Sequence, residues 1–127
     1  MSISINTPTK RSKFSMEIDP DKETIIITSE KDFSFKYKLR SLRDLYLWLK
    51  NDHGGEWVLL GSRGEEDTPK NGSVEEWARD VSNPVGGFYG LTDRYKGRFA
   101  SFIPAILEHF GFVEFEDKKR NIRVRSL

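Results

Sequence analysis

A chain of 127 residues, 36% of them hydrophobic and 13% aromatic, holds enough apolar surface for one cored domain. The absence of cysteine excludes disulfides and thiolate metal sites, and no apolar run approaches the ~20 residues of a membrane helix. A net charge of +1 excludes a uniformly basic composition, and "MSISINTPTKRSK" has no apolar secretory core, so a cytoplasmic location is expected.

Residues 1–12 are polar, Ser/Thr-rich and unpatterned, and a disordered arm is expected there. Residues 13–127 read as a single α+β domain. Phe14, Met16 and Ile18 alternate with polar residues, "DPDK" supplies turn chemistry, and "ETIIIT" follows, which is a hairpin pattern. In "FSFKYKL" Phe33, Phe35, Tyr37 and Leu39 alternate strictly with polar residues, predicting a strand with one buried face. Residues 13–40 are therefore an antiparallel β-meander.

The period then changes. Ser41 with Asp44 resembles a shortened capping box, Leu42, Leu45, Tyr46 and Leu49 recur at helical spacing, and Gly54–Gly55 ends the segment. "EWVLLG" at 56–61 predicts a short strand, and "SRGEEDTPKNG" a polar loop. Ser73 with Glu76 predicts a capped short helix that buries Val74 and Trp77. After the glycine-rich "VSNPVGGFYGL", Phe99, Phe102, Ile103, Ile106 and Phe110 mark a helical face stopped by Gly111, with a kink or break expected at Pro104. "GFVEFEDKKRNIRVR" predicts a hairpin turning at Lys118–Lys119. That register sets Phe115 opposite Ile122, Val113 opposite Val124, Glu114 opposite Arg123 and Glu116 opposite Asn121.

The order helix, strand, helix, helix, hairpin over residues 41–126, and above all "ILEHFGFVEFEDKKRNIRVR", resembles a winged helix-turn-helix domain. The resemblance implies a last helix lying in a DNA major groove and a basic hairpin tip on the backbone. Carried onto this chain, it places Lys118, Lys119 and Arg120 at the tip. At the helix's leading end it places Arg94, Tyr95, Lys96 and Arg98. Residues 81–92 make the helix–helix connection longer than the ~3–4 residues of the motif, and the meander has no counterpart in it.

Charge distribution agrees with that placement. Residues 1–93 hold 13 Lys and Arg against 16 Asp and Glu, whereas residues 94–127 hold 8 against 4. Phosphate binding needs several cations along one backbone track, and these two clusters supply about five contacts. Other candidates have simpler readings. The 83–91 glycines lack a phosphate-loop fingerprint and read as an aromatic-anchored loop. His109 suits a helix C-terminus, while His53 with Asp52 and Glu56, and the Glu65–Glu66–Asp67 cluster, lack metal-ligand spacing. No catalytic group, cofactor or metal is expected. The leading expectation is duplex DNA binding. The alternative is a noncatalytic module that binds another protein or a second copy of itself.

Overall fold

Alternation of apolar and polar residues builds the first layer, a sheet with one wet and one dry face. In the structure, a computed structural model describing residues 2–92 and 96–127, this sheet has four antiparallel strands. They are β1 (Ile3–Asn6), β2 (Lys13–Asp19), β3 (Thr24–Ser29) and β4 (Ser34–Lys38), paired in chain order. The register sets Ile5 opposite Phe14, Met16 opposite Ile27, and Ile25 opposite Tyr37. All six are buried on the same face. The fold is α+β, as expected.

Two corrections concern this sheet. The supposed disordered arm contains β1, because Ile3 and Ile5 extend the dry face and Ile5 is buried against Phe14. Phe33 is half exposed and lies outside β4, so the inward row begins at Phe35. The outer edge of β4 is covered by the glycine-rich loop. The Lys38 amide donates to the Tyr89 carbonyl at 3.0 Å and the Leu91 amide to the Lys36 carbonyl at 2.8 Å.

Helix α1 (Ser41–Leu47) passes directly into a π-helical turn, Trp48–Asp52, and ends at Gly54 and Gly55 with φ of 58° and 83°. Ser41 does not cap it. Arg40 precedes the helix with helical dihedrals, and the buried Ser41 hydroxyl finds no partner among the described residues. Asp44 is instead drawn to Arg40 and to the Tyr89 hydroxyl. Helix α2 (Val74–Trp77) begins as expected, with the Ser73 hydroxyl accepting from the Glu76 amide at 3.2 Å.

Helix α3 (Phe99–His109) is the element around which the rest assembles. Phe102 meets Phe14 and Phe35 of the sheet, with ring centroids 5.1 and 4.8 Å away, and Phe99 meets Tyr37 edge-on at 5.8 Å. Its other contacts include α1, α2 and the strand Val113–Phe115 that follows it. The helix runs through Pro104 without a break, although the proline removes one backbone donor. Pro104 itself is buried, and burial of Phe102, Ile103 and Ile106 around it offsets that loss. The end at Gly111 (φ 83°) follows the Schellman pattern, with Phe112 N donating to Leu107 O and Gly111 N to Glu108 O. Phe110 lies past the helix and is 52% exposed, so it is not part of the buried stripe.

A second, smaller sheet holds β5 (Val58–Leu59), β6 (Val113–Phe115) and β7 (Arg123–Ser126), with β7 in the middle. Its register differs by two residues from the one expected. Val113 pairs with Ser126, Glu114 with Arg125 and Phe115 with Val124. Because side chains alternate with period two, the slip preserves the faces and lengthens the turn. Asn121, at φ 51°, takes the left-handed position within it. Val113, Ile122 and Val124 enter the core, and Phe115 is only partly buried.

Candidate nucleic-acid interface

The expected basic residues separate into three groups. Arg94 and Tyr95 lie outside the described residues. Lys96 and Arg98 sit at the approach to α3, beside an acidic loop: the Glu65 carboxylate accepts from the backbone amides of Lys96 and Gly97. A cavity there is lined by Arg98 together with Glu65, Glu66 and Asp67. The cationic lead is thus set among carboxylates, which cancel much of its field at short range.

The turn behaves differently. Lys118 folds back on Glu116, with Nζ 3.4 Å from its carboxylate. Lys119 and Arg120 instead line a cleft of about 300 Å³. Its walls come from the β1–β2 connection, from Leu59–Arg63, from Lys70, from the first turn of α3 and from residues 119–122. Arg63 and Lys70 join Lys119 and Arg120 there, and no carboxylate among the described residues lines it. The hydroxyls of Ser62 and Ser101, both residues of its wall, hydrogen-bond to each other at 2.5 Å. Ser101 also lines the neighbouring hollow that Arg98 borders. The two expected clusters therefore flank one helix end but open into different hollows.

Buried electrostatics hold this arrangement. Glu75, fully buried in α2, accepts from the Ala100 amide at 3.0 Å and so satisfies the start of α3. Its partner Arg79, one turn on, donates to Glu75 at 3.1 Å. The same guanidinium donates to the carbonyls of Arg63 at 2.7 Å, Gly64 at 2.9 Å and Asp67 at 2.9 Å. One cation thus clamps loop 63–67 against the helix end. Burial raises the Glu75 carboxyl above the usual carboxylate range, opposed by the amides and by Arg79. Close backbone approach completes the junction, since a side chain at Gly97 would lie 2.5 Å from the Glu65 nitrogen.

On the hairpin, Arg123 donates to Glu116 and Arg125 to Glu114, and both guanidinium groups lie over the Trp57 ring. This corrects the expected Glu114–Arg123 and Glu116–Asn121 pairs. The Glu116 carboxyl is held below its ordinary value, chiefly by the hydrogen bond from Arg123. Helix α3 departs most from the winged-helix expectation. Of Phe99–His109, only Ser101, Glu108 and His109 escape burial, and Glu108 is taken by Lys10 at 2.5 Å. The N-terminal sheet covers the face that a groove-reading helix would present.

The other candidates are structural in their contacts. His53 stacks edge-on against Trp48 at 4.5 Å. Asn83 organises the glycine loop, donating to Trp77 O and Gly87 O and accepting from the amides of Val85 and Gly87. Arg63 and Lys70 were not singled out by sequence, because they stand inside the most acidic loop of the chain. No helix among the described residues is long and apolar enough to cross a membrane.

No curated protein and no solved structure matches this chain significantly. A family model covers residues 2–127, almost the full length, and the chain belongs to that family of unknown function (DUF6855).

Proposed function

We propose that the protein binds nucleic acid in the cytoplasm, duplex DNA included, by gripping phosphates with Lys119, Arg120, Arg63 and Lys70. The observation that carries this reading is that these four cationic residues line one cleft with no carboxylate among the described residues on its walls. The elements from α1 to β7 follow the chain order on which the winged-helix resemblance rests. Binding in this reading is by backbone contact, since burial leaves α3 no face for reading base edges. Phosphate contacts position a polyanion and release its counterions, and they need no groove-inserted helix.

A salt titration tests it. With a labelled duplex, log K is expected to fall against log salt with a slope of up to about −3.6, the limit in which each of the four cations neutralises a separate phosphate. A slope near zero, or no binding at about 50 mM salt where such contacts are strongest, removes the proposal.

A second reading, self-assembly, draws on a separate patch. Phe110, Phe112 and Leu127 are each more than half exposed and lie together beside Tyr46, whose ring meets Phe112 at 5.7 Å. A mass that rises with concentration and falls back on Phe112→Ser identifies that reading.

A further inference from the structure

We infer that the basic cleft receives a terminal phosphate monoester, the phosphorylated end of a nucleic-acid strand; this assignment rests on the nucleic-acid reading above. Shape is the first ground. A duplex backbone is a convex track, best met by cations that protrude in a row. Here Arg63, Lys70, Lys119 and Arg120 surround a hollow of about 300 Å³, at the small end of ligand pockets. A hollow of that size admits a chain end more readily than a continuous double helix.

Charge is the second ground. A terminal monoester carries between about −1.5 and −2 at neutral pH and offers three free oxygens. An internal diester carries one charge and two free oxygens. Four cationic residues lining one small cleft match the former, because charge-assisted hydrogen bonds add where acceptor oxygens are concentrated. Of the paired Ser62 and Ser101 hydroxyls one donates to the other, which leaves one O–H on the cleft wall for a ligand oxygen.

Preorganisation is the third. The Arg63 carbonyl is held by the Arg79 guanidinium at 2.7 Å and by the Arg98 amide at 2.8 Å, which fixes the backbone from which the Arg63 side chain projects. Lys70 reaches Asn121 at 3.4 Å, tying the loop to the turn. The Leu60 amide donates to the Ile122 carbonyl at 3.0 Å, fixing the turn against β5. The start of α3 is not the receptor, because Glu75 already occupies its Ala100 amide.

Fluorescence anisotropy on the full chain decides the matter with four labelled strands of one sequence: 5′-phosphate, 5′-hydroxyl, 3′-phosphate and 3′-hydroxyl. At least one phosphorylated end is expected to bind about tenfold tighter than its hydroxyl counterpart. Arg63→Ala, and separately the Lys119→Ala/Arg120→Ala pair, should erase that preference with unchanged thermal midpoints. Lys118→Ala, on the side chain turned to Glu116, should keep it. Equal binding of all four strands overturns the end assignment while leaving the nucleic-acid reading standing. Absence of binding by every strand overturns both. A preference that survives both cleft variants places the receptor elsewhere and likewise overturns the assignment. Adenosine monophosphate or a phosphoserine peptide that displaces the phosphorylated strand as well as unlabelled strand does would give the cleft to another monoester, against the assignment.

Discussion

The two basic clusters flank the same end of α3, yet they differ in what surrounds them. At the lead, Lys96 and Arg98 stand beside Glu65, Glu66 and Asp67, and the loop bearing these carboxylates is clamped by Arg79. At the turn, Lys118 is neutralised by Glu116, while Lys119 and Arg120 share a cleft with Arg63 and Lys70 and, among the described residues, with no acid. Similar local sequence therefore has opposite electrostatic meaning. A cation contributes to polyanion binding according to the charge packed beside it in space, which a count along the chain does not give.

The strongest way to break this contrast is to release the clamp. Arg79→Ala leaves the buried Glu75 carboxylate unpaired and frees the carbonyls of 63–67. Loss of one partner from a buried pair costs about 3–5 kcal/mol, to be read from chemical denaturation. A cost below about 1 kcal/mol would match an exposed pair and remove Arg79 as the organiser of the lead. Ser73→Ala acts on the same region more gently. It removes the cap of α2, the helix that presents both Glu75 and Arg79, and is expected to cost about 0.5–2 kcal/mol in the same assay.

The smallest effect sharpens the turn side. Glu116 has a lowered folded-state pKa, so its stabilising contribution is present above the ordinary carboxylate value and is lost as pH falls through the lowered one. Thermal midpoints of wild type and Glu116→Gln should therefore converge as the solution is acidified below the usual carboxylate range. Curves that stay parallel through that range would mean that the Arg123 contact is not what lowers it.

What was legible in the residues is what short-range physics decides. Alternation identified β2 and β4, the hairpin pattern after "DPDK" identified β3, the Ser73–Glu76 spacing identified the start of α2, and Gly111 identified the end of α3. β1 carried a signal in Ile3 and Ile5, but four residues of alternation within a Ser/Thr-rich stretch resemble a polar arm. The hairpin register was off by two because period-two patterning cannot distinguish slips that preserve the faces. Ser41 misled because its supposed partner, Asp44, is claimed by Arg40 and, across 45 residues, by Tyr89.

The candidate site was legible in part for a related reason. Lys119 and Arg120 stood out by local charge, whereas Arg63 and Lys70 were hidden among acids that the fold directs away from the cleft. The Glu75–Arg79 spacing of one helical turn was visible. Nothing in "VEEWAR" says that Glu75 is buried while Glu76 stays at the surface. That distinction is made by α3, which arrives from another part of the chain and brings the amide that Glu75 accepts from.

The most direct measurement compares charge reversal at the two clusters. Duplex binding at low salt is followed for wild type, for Lys119→Glu/Arg120→Glu and for Lys96→Glu/Arg98→Glu. The turn variant is expected to lose at least about tenfold in affinity, as removal of two phosphate contacts implies, and the lead variant less than about threefold. Equal losses from the two variants, or the larger loss from the lead, would contradict the assignment of the uncompensated charge to the cleft.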